Sequence, residues 1–595
     1  MEKETRQCQN CKQSFTIEPD DFAFYEKMKV PPPTWCPACR LQRRLAFRNQ
    51  RSLYRRKCDK CGKSIISFLS DTSPMTVFCQ ECWWGDAWDP MSYGMKLDFS
   101  ESFLSQFKNL FKAVPVINLF NTQSVNSDYC NFTASNKNSY LIFGGRQNED
   151  LLYSETTSST RDSLDLFNCS KMELCYEDIQ CENSNRLLFS KYSDNCSDSW
   201  FLYECKNCTN CFGCANLRGK SNCFFNEQLT KEEYEKRVKE LNLGNHGALQ
   251  EAKRKFDELY RKSLHRYAFM VNTENSTGDN VRNARNCKNC FDLSGTGSED
   301  SKYTVYAVIG VKDGYDNYGM PSAERVYETI AIGFESNENQ DYYFSFFIKG
   351  SARIYYSVGC TGCQDCFGCV GLHSKQYCIL NRQYTKEEYE LLLPKLVAHM
   401  NAMPYTDKKG RMYAYGEFFP PEFSPFAYNE TIAQDYYPLT KEEMEARGLV
   451  WREMENKNYT VTVRANDLPD RIEDVNDSIL NEVVGCAHEG KCVEQCTTAF
   501  KIIPKELSLY KQLGVPLPRL CPNCRHHERF SKRNPLKLWH RKCMCAGAAS
   551  EKEIFKNTGK HVHGNTHCPS EFETPYAPER PEVIYCEGCY QAEVV

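Results

Sequence analysis

Between residues 123 and 226, short runs of strand-forming residues recur every 11 to 13 positions, often announced by Asn, Ser or Asp. NSDYCNF from Asn126, KNSYLIF from Lys137, NEDLLYS from Asn148 and RDSLDLF from Arg161 begin the series, and KMELCYE, NRLLFSK and SDSWFLYE continue it. Turn-formers between β-type runs at a fixed short period predict a parallel β-solenoid of stacked coils rather than a sandwich. One coil cannot bury its apolar face alone, so neighbouring coils must supply the cover. An irregular antiparallel β domain is the plainer alternative.

A larger duplication covers the same region. CTNCFGCANLRGKSNCFFNEQLTKEEYE from Cys208 matches CQDCFGCVGLHSKQYCILNRQYTKEEYE from Cys363 at 16 of 28 positions. In each copy Thr precedes Lys-Glu-Glu, an N-cap followed by acids in a first helical turn, so each array is expected to end in a helix. The first leads into ALQEAKRKFDELYRKSLHRYA, the second is TKEEYELLLPKLVAHM, and a third Thr-Lys-Glu-Glu at Thr440 starts a short helix. Overlapping the start of the duplicated segments, Cys205-x2-Cys208-x2-Cys211-x2-Cys214 and Cys360-x2-Cys363-x2-Cys366-x2-Cys369 approach an iron–sulfur run, but the last gap is short and the proline is missing. Single Asn-Cys pairs at Asn168-Cys169 and Asn195-Cys196 point instead to a repeat position filled by a small buried residue.

Composition adds one unusual number, 35 cysteines in 595 residues. The chain exceeds a single core, and 41% hydrophobic with 26% charged residues is ordinary for folded domains. No apolar run is long enough to cross a bilayer, and MEKETRQCQNCKQ has no signal-like core, so a cytoplasmic address and no membrane partner are expected. In a reducing compartment so many thiols serve metal ligation or burial rather than disulfides. The net charge of −4 hides basic ends and an acidic middle.

The ends carry the metal pattern. Cys8-x2-Cys11 with Cys36-x2-Cys39, then Cys58-x2-Cys61 with Cys79-x2-Cys82, are two consecutive four-cysteine sets. Two intervening residues let a knuckle turn both sulfurs toward one ion, and two knuckles complete a tetrahedral, closed zinc site of structural type. The C-terminus repeats this at an offset of 485, with VPPPTWCPACR reappearing as VPLPRLCPNCR. Its expected ligands are Cys492, Cys496, Cys521 and Cys524, then Cys543, Cys545, Cys586 and Cys589. The looser Cys492-x3-Cys496 and Cys543-x-Cys545 spacings leave Cys568, His561, His563 or His567 as alternatives in the last site. About four structural zinc ions are expected in all.

CPACRLQRRLAFRN reads as a helix whose first turn supplies two ligands, a treble-clef arrangement, whereas the second site looks like a plain β-ribbon. Arg40, Arg44 and Arg48 lie along one helix face, and Arg525, Arg529 and Arg533 repeat the spacing. From Cys36 to Lys57 there are eight Lys or Arg and no acid. Such a ladder suits an RNA or DNA backbone, and equally a solvated face or a dock for the acidic middle of the same chain. The segment CQNCKQSFTIEPDDFAFYEKMKVPPPTWCPACR resembles the family described as a probable zinc-ribbon domain, and the wider layout is similar to large zinc-ribbon proteins of uncultured candidate-phylum bacteria. That resemblance implies zinc on the cysteines named and no reaction.

No phosphate loop, GxSxG elbow or HExxH helix is present. Asp128, Asp150, Asp162 and Asp198 fall near repeat turns, where Asp ordinarily caps its own backbone. The expected architecture is mainly β and multidomain. Zinc modules occupy 1–57 and 58–92, a linker 93–122, solenoids 123–228 and 276–384 around a helical insert 229–275, a helical and Pro-rich connection 385–490, and zinc modules 491–542 and 543–595. The expected role is a non-enzymatic binding or scaffold protein with a macromolecular partner. A polysaccharide-acting solenoid enzyme and an iron–sulfur or redox protein are the alternatives.

Overall fold

The computed structural model describes residues 2–295, 297–307, 309–320, 322–331, 340–453, 459–492 and 495–594. The chain is mainly β with short helices and divides into two compact units. One joins residues 1–120 to 269–452; the other joins 121–268 to 453–595. Each unit therefore combines one cysteine-rich end with one array of parallel strands. Among the described residues no helix is long and apolar enough to cross a membrane.

In the second unit the chain returns alongside itself every 12 residues. Lys137 bridges Glu149, Arg161 bridges Glu173, and Asn185, Ser197, Thr209 and Ser221 continue the parallel register. Further ladders run in step, through Asn131, Phe143, Glu155 and Phe167, through Ala134, Arg146 and Ser158, and through Tyr140, Leu152 and Leu164. The first unit keeps a 12-residue register from Gln340 through Ala352 and Gln364 to Gln376, with longer steps earlier in its array.

The backbone explains the turn-former signal. From Asn138 onward, residues three apart sit in the left-handed region, including Asp150, Asp162, Asn168, Asn183, Asn195 and Asp198. After glycine, Asn and Asp tolerate that region best. Bulkier residues such as Leu141 and Phe189 are also held there. The stacked hydrogen bonds offset that strain: Lys137 N donates to Asn148 O at 2.8 Å, and Asn138 N donates to Val125 O at 3.0 Å. Asp150 and Asp162 face Lys505, and Asp198 faces Arg186, so these carboxylates are ion-paired, and all three lie at left-handed positions within strands rather than in turns.

Left-handed residues alternate with inward-pointing ones, also three apart. Ser139, Ile142, Leu151, Ser154, Ser163, Leu166, Cys175 and Leu187 are buried. The polar members close a lattice between coils: Leu166 N donates to Ser154 Oγ and Cys175 N to Ser163 Oγ, each at 3.0 Å. Cys205, Cys208, Cys211 and Cys214 are successive inward residues, and all four donate through Sγ to backbone carbonyls at 3.3–3.5 Å. Cys360, Cys363, Cys366 and Cys369 do the same in the first unit at 3.4–3.6 Å. A small side chain with a weak donor suits this narrow interior, which accounts for the C-x2-C-x2-C-x2-C runs by packing.

All three Thr-Lys-Glu-Glu segments form capping boxes, from Thr230, Thr385 and Thr440. Each threonine hydroxyl accepts from the N–H of the glutamate three residues on, satisfying an end donor of the helix. The helix His246–Lys262 lays Phe256 against Phe201 of the array at a 5.6 Å ring separation.

The interior sets a size limit. Cys211→Leu adds volume where neighbouring coils leave none and is expected to destabilise the surrounding coils by roughly 1–3 kcal/mol. Cys211→Ala should have the smaller effect. Native-state hydrogen exchange across residues 197–224 measures both, and equal protection in the leucine variant and the parent would contradict this packing.

Candidate metal centres

Four groups of four thiols converge, their sulfurs all within 4.8 Å of one another: Cys8, Cys11, Cys36 and Cys39; Cys58, Cys61, Cys79 and Cys82; Cys486, Cys496, Cys521 and Cys524; Cys543, Cys568, Cys586 and Cys589. Sulfur separations within the groups fit one shared ion: Cys11–Cys36 at 3.8 Å, Cys61–Cys79 at 3.9 Å, Cys521–Cys524 at 3.5 Å and Cys568–Cys586 at 3.8 Å. A tetrahedral ion with sulfur at about 2.3 Å separates its ligands by roughly 3.8 Å.

One local frame builds all four. A short antiparallel hairpin comes first: Glu4–Gln7 with Ser14–Ile17, Tyr54–Lys57 with Ser64–Ser67, Val484–Gly485 with Ala499–Phe500, and Trp539–Lys542 with Glu571–Thr574. The first ligand directly follows the outgoing strand. Its N–H donates to the residue before the return strand: Cys8 to Gln13 O, Cys58 to Lys63 O, Cys486 to Thr498 O and Cys543 to Ser570 O, at 2.8–2.9 Å. The second ligand lies three residues before the return strand, as Cys11, Cys61, Cys496 and Cys568 do. The third ligand opens a helix and donates its own N–H to the first sulfur: Cys36 to Cys8, Cys79 to Cys58, Cys521 to Cys486 and Cys586 to Cys543, at 3.2–3.3 Å. N–H groups aimed at sulfur, together with a helix N-terminus, favour the thiolate that a metal needs.

This frame corrects three expectations. Cys486, not Cys492, takes the first position in the third group, because only Cys486 stands at the strand end. A nine-residue loop separates it from Cys496, and the nearer Cys492-x3-Cys496 spacing hid the pairing. Cys492 remains a neighbour, its sulfur 3.7 Å from that of Cys524. In the fourth group Cys568, one of the alternatives, replaces Cys545, because it stands three residues before Glu571. The second group is not a plain ribbon either, since Cys79 caps the helix Gln80–Trp84. The usable signal in the sequence was the cysteine's position against the hairpin strands rather than its distance from the next cysteine.

The arginine ladders lie elsewhere than expected. Arg40, Arg44, Arg48, Arg525 and Arg529 are at most 3% exposed. In the first unit Arg40 Nη2 meets Asp316 at 2.8 Å, Arg43 bridges Glu328 at 2.9 Å and Glu417 at 3.0 Å, and Arg44 meets Asp316 at 3.2 Å. Burial alone would weaken the Arg43 charge, but Glu328 and Glu417 outweigh it and hold its pKa above the usual value. Arg48 donates to Gln50 and lies over the Tyr318 ring. In the second unit Arg525 and Arg529 meet Asp165 at 3.0 and 2.8 Å, and Arg533 is half-buried over Phe167 and Phe530. Asp165 and Asp316 both come from left-handed array positions. Arg40, Arg44, Arg525 and Arg529 therefore dock the helices Pro37–Leu45 and Pro522–Ser531 on their arrays, while Arg48 and Arg533, expected on the same helix faces, lie just past the helix ends, Arg533 only half-buried.

No protein-family model matches the chain, and no curated protein matches it.

Two outcomes check this geometry. Cys486→Ala and Cys568→Ala should each remove one bound metal ion per chain, whereas Cys492→Ala should retain the full complement by native mass spectrometry; the reverse pattern would restore the original ligand sets. Asp165→Ala leaves two buried guanidiniums without their shared carboxylate and should destabilise the second unit by about 3–5 kcal/mol. Hydrogen exchange across residues 504–531 reads that loss, and unchanged protection would show that the latch contributes nothing.

Proposed function

We propose that the chain is a non-enzymatic scaffold or binding protein in which four zinc ions shape the ends and two β-solenoids form the body. The observation that carries this reading is the fourfold recurrence of one frame, in which four thiols meet at a single point. Zinc suits such a set because it accepts four thiolates, prefers a tetrahedron and brings no redox chemistry. Four-thiolate coordination leaves no open position for water, which supports a structural role. The 12-residue parallel register supports the solenoid.

The docking of each arginine helix against an array supports an intramolecular purpose for the zinc modules: the ion holds the helix, and the helix presents its guanidiniums to buried carboxylates. A nucleic-acid partner would have to use other residues. The iron–sulfur alternative is disfavoured by the thiol-to-carbonyl bonds of the two cysteine runs, which occupy those sulfurs in packing. All 35 cysteines are free, which fits a reducing, cytoplasmic compartment.

Hydrogen exchange with and without a strong chelator tests the reading. Metal removal should first deprotect residues 4–82 and 484–594, because ligand binding and folding are coupled in such small segments. The array interiors, including residues 197–224, should retain protection longer. Exchange at the ends that is indifferent to the chelator would contradict a structural metal.

A further inference from the structure

The fourth frame differs from the first two in the stretch between its first two ligands. Where Cys8 and Cys11 are separated by two residues, Cys543 and Cys568 enclose a long segment whose regular structure is limited to the short turn of helix Glu551–Glu553 and the isolated bridges Cys545–Ser550 and Ala549–Lys556. Loops of this length without their own structure are uncommon and need something to hold them. The segment's own core is limited to Met544, Cys545 and the partly buried Phe555, while Ile554 and Val562 are exposed. It does carry Cys545, His561 and His563.

These three gather beside the four-thiol group. Cys545, His561, His563 and Cys589 place one ligand atom each within 4.8 Å of all the others. Both imidazoles are oriented by an acceptor on the opposite nitrogen. His561 Nε2 lies 2.7 Å from Glu593 Oε1, in a contact where the histidine side chain is 2% and the glutamate 1% exposed. Glu593 is itself fixed by the N–H groups of Thr558 at 2.8 Å and Gly559 at 3.1 Å. With Nε2 carrying the proton toward the carboxylate, Nδ1 holds the lone pair, and that buried nitrogen has no hydrogen-bond partner. His563 Nδ1 lies 2.6 Å from Thr566 O, a carbonyl that can only accept, so the lone pair is on Nε2, 3.3 Å from Cys589 Sγ. Cys545 is fully buried, and its sulfur accepts from Asn557 Nδ2 at 3.2 Å. Asn557 is anchored in turn by Tyr585 Oη at 2.7 Å and Gly547 O at 2.7 Å.

Histidines whose far nitrogens face a carboxylate and a carbonyl, and whose near nitrogens converge with sulfur, are the outer arrangement of a metal site. We propose that the C-terminal module holds a second divalent ion, bound by Cys545, His561 and His563 and sharing the Cys589 thiolate with the four-thiol ion. Two sulfurs and two imidazole nitrogens at four-coordinate spacing select zinc among the borderline metals. The second ion also eases the charge. Five thiolates around two divalent ions leave one net negative charge, whereas four around one ion leave two. It ties the start of the long insert, at Cys545, to its later part, at His561 and His563, which accounts for a segment of that length lying folded on the module. The inference rests on the four-thiol reading of Cys543, Cys568, Cys586 and Cys589, and the test separates the two.

Native mass spectrometry of the reduced, zinc-loaded full chain should show five ions, one more than the four-thiol groups hold. His561→Ala with His563→Ala should remove one ion, and His563→Cys, which supplies another zinc ligand, should keep all of them. Exactly four ions, with a count untouched by the double substitution, would overturn this inference and leave the four-thiol reading intact. Fewer than four ions would overturn both. In case the double variant loses its fold, cadmium-113 NMR of the unmutated, cadmium-loaded chain gives an independent reading. Two resonances coupled through a shared sulfur are expected, and the absence of any coupled pair would overturn the bridge.

Discussion

Convergence of sulfur on a point is the constraint from which the rest follows. A hairpin of two- to four-residue strands and a one- to three-turn helix cannot bury enough apolar surface to hold their own shape. In each frame the first sulfur accepts an N–H from the third ligand, and the helix starts at that ligand. Strand end, knuckle and helix start are thus fixed against one another around one site. Once the helix direction is set, its arginines have one place to go.

That place is the face of a parallel array, and the chemistry there is demanding. Buried ion pairs need near-complete pairing, because desolvation can exceed the attraction when a partner is missing. In the first unit three arginines meet three carboxylates, Asp316, Glu328 and Glu417, and Trp35 lies under the Arg43 guanidinium at 4.5 Å. In the second unit Arg525 and Arg529 share Asp165, and Glu506 joins them through Arg525 while accepting from Tyr153 and Tyr510. The two units arrive at the same solution with different residues around a common Arg–Asp centre. A latch of this kind favours one docking register over others, which hydrophobic contact alone does less well.

Much of this was legible in the sequence, for identifiable reasons. The period of the array was visible because turn residues must occupy left-handed positions, and Asn and Asp do so at least strain. The capping boxes were visible because Thr and Glu three apart satisfy each other's backbone. The first two metal groups were visible because a two-residue knuckle is local. The third and fourth four-thiol groups take Cys486 and Cys568 in place of the expected Cys492 and Cys545, since a long loop between ligands removes the spacing signal and leaves only the hairpin register, which a linear reading does not display. The arginine rows were legible as rows but not as buried ones: charge spacing along a helix is the same whether the opposing acid is a nucleic acid or Asp316, nearly 300 residues away. The partition into two units was also hidden, because it joins segments that are distant in the chain.

The most direct test of the central claim is zinc K-edge X-ray absorption on the purified chain. Sulfur at about 2.3 Å should dominate the first shell, with a minor nitrogen contribution near 2.0–2.1 Å. A shell made mainly of oxygen or nitrogen, or no bound zinc in protein kept reduced throughout, would contradict it.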